Sequence, residues 1–370
     1  MQSKLAIKFL TVVLFFFSLG LSAQDHSSDH NNAPHEEHEG TPEEVSLKTK
    51  IKENINHHLL DSHDFTFFSD SETGKHYGFP LPVILWDQED GLQLFSSSKF
   101  HHGEEVAENN GNYYTLYHNK VYKTDAKGTI TLDEHHHPTQ IKPLDFSITK
   151  SVLMILVTGF LMLLAFVGMA KSFKKGPIVT GAGRFLEPII LYIRDEIAIP
   201  NIGEKKYKKY MPYLLTVFFF VWFLNLFGLT PLGVNVTGNI AVTFALAIIT
   251  FLITQFSGNA NYWKHIFWMP GVPVPMKIIL APIELLGVII KPFALMIRLY
   301  ANIMAGHIVL MSLIGLIFVF QNWIGSSLTF VLSFAISMIE LLVALLQAYI
   351  FTMLSALYFG FAVEEHDEAH

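Results

Sequence analysis

The apolar pattern divides the chain near residue 148. Before that point apolar residues come in short clusters, and beyond it they form long runs. Ile148–Ala170 has the length of a helix that crosses a bilayer core, roughly 20 residues. A second run covers 211–231, rich in Phe and Leu, with Asn225 inside it and Pro231 at its end. A turn at Gly233–Gly238 leads to a third run at 239–257. Trp263, Lys264, His265 and Trp268 follow, a mixture suited to a membrane–water interface. Gly271-Val272-Pro273-Val274-Pro275 interrupts any helix there. The last two runs, 276–320 and 325–362, are each longer than a perpendicular span needs, so they must tilt, bend or begin as re-entrant pieces. Pro282 and Pro292 are the expected bend points. The turn Gln321-Asn322-Trp323-Ile324-Gly325-Ser326 makes these two a hairpin.

Three different patterns precede residue 148. Residues 1–24 read as a signal peptide: Lys4 and Lys8, an apolar core from Leu10 to Leu21, then Ser22-Ala23 before Gln24. That core is short for a span, which favours cleavage over retention as a first helix. Residues 25–50 are a low-complexity tail of His and acids, suited to solvation or weak divalent-metal binding; solvation is the simpler reading. In 51–147, short aromatic and β-branched stretches alternate with turn signals. Phe65-Thr66-Phe67-Phe68, Val83-Ile84-Leu85-Trp86, Leu92-Gln93-Leu94-Phe95, Tyr113–Tyr117 and Thr129-Ile130-Thr131-Leu132 are the expected strands. Glu72–Lys75, Asp90-Gly91, Asn109–Asn112 and Ala126-Lys127-Gly128 are the expected turns. His101-His102 and His135-His136-His137 alternate faces on a strand, which makes poor preformed metal sites. The fold class expected is an all-α polytopic membrane protein of about five transmembrane helices, the last two long and tilted. It carries an N-terminal signal peptide and a small β-rich extracytoplasmic domain.

Composition supports the membrane reading. Of 370 residues 51% are hydrophobic and only 15% charged, against about a quarter in soluble domains. Segment 171–209 holds nine Lys/Arg and four acids, which places it in the cytoplasm by the positive-inside rule. The signal peptide independently sends the N-terminal domain outside, and five spans then return the acidic end, Glu364-Glu365-His366-Asp367-Glu368, to the cytoplasm. Cysteine is absent, so thiol and disulfide chemistry are excluded.

Between 278 and 362 only Glu284, Lys291, Arg298, His307 and Glu340 can carry charge. Arginine stays protonated in any ordinary protein setting, and at mid-membrane it costs at least about 2.5–3.5 kcal/mol. Such a residue faces a partner or a wet cavity. Glu284, Lys291 and Arg298 recur at seven-residue spacing and share a stripe with Asn302. His307, nine residues beyond Arg298, falls on the opposite face and ~13 Å along the axis. Glu340 and Gln347 share a face of the following helix. A histidine and a glutamate that titrate within the membrane suggest a proton path.

These residues resemble subunit a of the rotary F-type ATP synthases. The resemblance rests on Lys291-Pro292, Arg298-Leu299-Tyr300-Ala301-Asn302, Ala305-Gly306-His307, Glu340, Leu346-Gln347-Ala348-Tyr349-Ile350-Phe351 and Glu364-Glu365-His366, with Asn225-Leu226, Pro231 and Glu284 in support. It covers 148–366. It implies that Arg298 faces a c-ring carboxylate and separates two half-channels, with Gln347 opposite it and Asn302 as polar lining. His307, Glu340 and Glu284 would line the proton path. It also implies a c-subunit ring, peripheral-stalk b subunits, lipid and, indirectly, the F1 catalytic sector as partners, in a cell inner membrane. Many bacterial members carry Glu and His where His307 and Glu340 stand; this exchanged pair is similar to mitochondrial members. Most members have Gly at the Ala301 position. Residues 25–147 have no counterpart in that pattern.

Other classes fit less well. A secondary transporter usually shows internal repeats, and none is visible. A membrane-anchored receptor has no use for Arg298, His307 and Glu340. No phosphate-cradling loop occurs, so ATP chemistry belongs to partner subunits, and no cofactor or nucleic acid is expected. Proton against sodium is left open.

Overall fold

The computed structural model describes residues 61–69, 76–103, 105–133, 137–175, 183–230, 234–269, 272–319 and 323–364. The expected signal segment 1–24, the tail 25–50, the Glu72–Lys75 turn, His135-His136, Gln321-Asn322 and the end from Glu365 lie outside the described residues.

Three small antiparallel sheets make the N-terminal part. β1 (Asp64–Ser69) pairs with β2 (His76–Pro80); β3 (Pro82–Asp87) lies between β4 (Gly91–Ser96) and β8 (Leu144–Asp145); β6 (Asn112–Tyr117) lies between β5 (Ala107–Asn109) and β7 (Lys120–Thr124). Alternation turns Val83, Leu85 and Phe95 into a core with Phe100, Tyr114 and Val121. The β5–β6 hairpin closes on Asn110-Gly111, both at positive φ, as a two-residue primed turn requires. The β6–β7 hairpin closes on His118-Asn119, also both at positive φ. Thr129–Leu132, expected as a strand, forms only a single bridge, Leu132 to Pro138. Proline has no N–H to extend a ladder.

Five helices are long and apolar enough to cross a membrane, among the described residues: α1 (Lys150–Lys175), α4 (Tyr207–Gly228), α5 (Ile240–Ser257), α7 (Val274–Val319) and α8 (Trp323–Val363). The chain is thus a polytopic membrane protein with a β-rich N-terminal part. α7 and α8 have 46 and 41 residues, roughly 69 and 62 Å, about twice a bilayer core. α7 runs unbroken through Pro282 and Pro292.

Shorter helices fill the gaps: α2 (Gly183–Tyr192), α3 (Ile199–Ile202) and α6 (Ala260–Phe267). Between α2 and α3 the backbone widens to a π-helix over Ile193–Ala198. Pro200 explains it: without an N–H it cannot bond the Glu196 carbonyl, and Ile199 N–H reaches back five residues to Arg194. The amphipathic spacing of Arg184–Ile199 predicts a helix lying on the membrane surface; in the structure one face of this stretch is sunk in the bundle. Leu186, Ile193 and Ile197 join Leu214, Phe219, Phe351 and Phe359 in the main core, while Arg194 is half-buried and Asp195 and Glu196 stay exposed.

α8 packs closely because most of its buried face is small, with Ala344, Ala348, Thr352, Ser355, Ala356 and Ala362 around the larger Gln347, Phe351 and Phe359. At Gly360 a Cβ would sit 2.0 Å from the Asn201 carbonyl oxygen, so no larger residue fits. The last carbonyl of α8, Val363, accepts from Lys206 Nζ at 2.7 Å and Asn259 Nδ2 at 3.2 Å, which satisfies a helix end within the fold.

The β part is bonded to α1 without a linker. Phe146 N–H donates to Ile84 O, Ile148 N–H to Pro82 O and Lys150 N–H to Ser62 O. Asp61 caps α1 from outside, accepting from Ser151 N–H at 3.1 Å and Thr149 Oγ1 at 2.9 Å. Phe65 and Leu81 of the β part pack with Met154, Leu224, Val234 and Val236.

Candidate functional site

Arg298 sits mid-way along α7 on an exposed face with Ile297, Ala301, Asn302 and Ala305. Neighbouring Leu299 is buried and anchors the opposite side of that turn. From α8 the buried Gln347 donates through Nε2 to the Arg298 carbonyl oxygen at 3.1 Å. The amide therefore holds the backbone at Arg298; the residue is exposed, with Tyr358 of the same α8 face within electrostatic reach of its charge. A permanent cation on an exposed and otherwise mostly apolar face is the residue that sequence reasoning singled out.

Two cavities flank this point. One, of about 260 Å³, is bordered by Asn302, Gly306 and His307 of α7, Glu340 and Ala344 of α8, Asn225 of α4, and Asn235 and Thr237. His307 is buried and Glu340 half-buried. At Gly306 a Cβ would meet Glu340 Oε1 at 2.6 Å, so glycine makes room for the carboxylate. Asn225 is fixed by its neighbours: Thr237 Oγ1 donates to its Oδ1 at 2.7 Å, and its Nδ2 donates to Ala344 O at 3.4 Å. Lys150, at the start of α1, lies within electrostatic reach of His307.

The other cavity is smaller. It is bordered by Val288, Lys291, Pro292 and Leu295 of α7, Thr250, Thr254 and Gln255 of α5, Tyr262 of α6 and Tyr358 of α8. The Lys291 ammonium lies 5.7 Å from the ring centres of Tyr358 and Phe361. Glu284 borders neither cavity but lies within electrostatic reach of Lys291 and Tyr262.

α7 thus meets one cavity up to Leu295 and the other from Asn302, with Arg298 between and lining neither. Gln347 holds the matching place on α8, between Ala344 and Tyr358. Of the residues selected from sequence, His307, Glu340 and Asn302 share a cavity, Arg298 and Gln347 are joined by a hydrogen bond, and Glu284 stands apart near Lys291. Asn302 was grouped with the Arg298 face; it is exposed there and also reaches the His307 cavity.

A family model described as ATP synthase A chain matches residues 152–360, more than half of the chain. The chain belongs to this family. Among its relatives is an ATP synthase subunit a of Anaeromyxobacter sp. (strain Fw109-5), 41% identical over 255 residues, 66% of this chain and 62% of the relative. Those of Chloroherpeton thalassium (42% over 247 residues, 64% of this chain and 73% of the relative) and Myxococcus xanthus (43% over 234 residues, 61% and 77%) are similar. The chain spans about six tenths of the length of the Anaeromyxobacter relatives. A second model, a domain of unknown function (DUF8433), matches 54–146. The ATP synthase A chain match includes Arg298, His307, Glu340 and Gln347, and the cavity-lining parts of α4, α5, α7 and α8.

Sequence reasoning missed the smaller cavity's polar lining. Its signal is Thr250, Thr254 and Gln255, polar and buried in an otherwise apolar run, with the two threonines one helical turn apart. It also missed Asn235 and Thr237, which lie in a turn between spans.

Proposed function

We propose that this chain is the proton-translocating stator subunit of an F-type ATP synthase, with its two cavities as the ends of two half-channels. The observation that carries the reading is the position of Arg298, on an exposed face and between the cavities. A c-ring carboxylate brought against that face cannot stay protonated beside a fixed cation, because an opposite charge lowers its pKa. It releases its proton into one half-channel and regains one from the other after rotation. Arg298 never gives up its own proton, so none hops directly between the channels.

In this reading His307 and Glu340 carry protons through the larger cavity, Asn302 and Asn225 are its polar lining, and Gln347 positions Arg298. Glu284 and Lys291 lie beside the opposite path. The β-rich part and the larger cavity, which share an end of the bundle through Phe65, Leu81, Leu224 and Val234, face outward from a cell inner membrane. Residues 1–24 are then the signal peptide, 25–50 a solvated tail, 51–147 the extracytoplasmic domain and 148–366 the membrane domain, with the C-terminus cytoplasmic. Partners are the c-ring, the peripheral-stalk b subunits and, through them, the F1 sector where ATP is made.

Arg298→Ala tests the reading. ATP-driven proton pumping in inverted vesicles is expected to fall to background while the c-ring and F1 remain bound. Pumping that survives at near the normal rate overturns it.

A further inference from the structure

The sheet β4-β3-β8 has two apolar faces. One packs on the β core through Val83, Leu85 and Phe95. The other is exposed: Trp86 at 50%, Leu92 at 60%, Leu94 at 62%, Leu144 at 56% and Phe146 at 65%. The register sets these side chains in two cross-strand rows. Trp86 stands opposite both Leu92 and Leu144; Ile84 stands opposite Leu94 and is bonded to Phe146. An antiparallel sheet with one solvated face normally alternates polar residues onto it, and here neither row holds one. Five large apolar side chains, each at least half exposed and contiguous on one face, are the kind of patch that marks an interaction surface.

The chain's own path says what covers it. The ladder continues past β8 through Ile148 N–H to Pro82 O. Alternation puts Leu144, Phe146 and Ile148 on one face. Lys150 then opens α1, whose exposed side chains Val152, Leu156, Phe160, Leu163 and Leu164 are those of a membrane span. The apolar face of the sheet therefore runs into the lipid-facing surface of α1. At about 3.3 Å per residue the Phe146 row lies ~7 Å and the Trp86 row ~13 Å from Ile148 along the strand. The interfacial zone of one leaflet is about 5–8 Å deep, so both rows reach it only with the sheet leaning over, not standing upright. Tryptophan is a residue of that zone.

We propose that the exposed face of β4-β3-β8 rests on the phospholipid interface of the leaflet that α1 enters, so that the β part lies on its own bilayer. The inference needs α1 to span the membrane and does not depend on the proton path.

The absence of cysteine allows a direct test. Single-cysteine variants Leu94→Cys and Phe146→Cys, with Lys127→Cys in an exposed turn as reference, carry an environment-sensitive fluorophore. The full chain is reconstituted in vesicles of phosphatidylcholine and phosphatidylglycerol with nitroxide near the top of the acyl chains. The labels at 94 and 146 are expected to emit at shorter wavelength and to be quenched by the nitroxide at least threefold more than the label at 127. Quenching by aqueous iodide equal to that at 127 overturns the proposal. So does shielding from both quenchers, which means that protein, such as a second copy of the chain, covers the face.

Discussion

At the scale of single residues, the amide of Gln347 is the most specific contact to the candidate barrier. It meets the backbone of Arg298, whose carbonyl also has its helical partner, so losing one donor is expected to cost only about 0.5–1.5 kcal/mol. Function is more sensitive, because a guanidinium displaced by an ångström no longer meets its partner squarely. Gln347→Ala is expected to leave assembly intact and lower ATP-driven proton pumping severalfold; unchanged pumping removes Gln347 from the positioning role. A second residue cluster governs the β part. Lys123 Nζ lies 3.0, 3.0 and 2.6 Å from Asp87, Glu89 and Asp90. Burial pushes the Asp87 carboxyl up, but the Glu89 N–H, the Lys123 ammonium and the Tyr114 hydroxyl outweigh it and hold Asp87 below its usual range. Burial and the Asp87 charge push the Tyr114 phenol up to about 12. The stability from Asp87 is therefore present above pH ~4 and lost as pH falls through its lowered value. That from neutral Tyr114 is present below pH ~10 and lost as pH rises through 12. Lys123→Ala strands the buried carboxylate and is expected to cost about 3 kcal/mol. Amide exchange of β6 and β7 in the full chain, followed against pH, reads all three effects. A profile that stays flat as pH falls from about 4 to about 2 rejects the Asp87 assignment.

At the scale of elements, the junction between the β part and the membrane depends on a borrowed cap. Asp61 lies far from α1 in sequence, yet it accepts from Ser151 N–H, and its charge sits at the positive end of the helix. Asp61→Ala is expected to cost about 1 kcal/mol and to speed amide exchange over Ser151–Met154, with Asp61→Asn restoring most of the protection. Equal exchange in both variants rejects the cap. This contact was not legible in the sequence, because long-range caps leave no local pattern. The spans were legible, since a run of some twenty apolar residues has few alternatives to a membrane helix. The strands at Val83–Trp86 and Leu92–Phe95 were legible from their apolar clusters and the Asp90-Gly91 turn. β7 was not, because its turn is His118-Asn119 and lacks the glycine that signals a primed hairpin. The π segment was hidden too: the spacing of 184–199 reads as a regular helix, and the widened turn is how the backbone absorbs Pro200. At the candidate site the charged residues were conspicuous against an apolar background. The threonines of α5 were not, because a hydroxyl bonded to its own helix, as Thr254 is to Thr250 O, is at home in lipid as well as in a channel.

At the scale of the whole molecule, the proposed mechanism makes a demand that no single residue does: the two cavities must open to opposite sides of the membrane and be closed to each other at Arg298. The Cys-free background allows this to be read with a membrane-impermeant thiol reagent. Val309→Cys places a thiol beside the His307 cavity, and Thr254→Cys places one beside the Lys291 cavity. Leu299→Cys lies between them, buried and bordering neither. In sealed vesicles of known orientation, 309 is expected to react at least tenfold faster from the side of the β part. Position 254 is expected to react at least tenfold faster from the other side, and 299 slowly from both. Reaction of 309 and 254 from the same side rejects the two half-channels, since one vestibule would then serve both cavities. Fast reaction of 299 from both sides means a continuous aqueous pore past Arg298. A fixed cation in such a pore could repel other cations, but protons would pass along the water beside it. In the proposed mechanism the buried, packed surroundings of Leu299 are therefore as necessary to the barrier as the charge of Arg298. In that mechanism the coupling of rotation to proton flow depends on both.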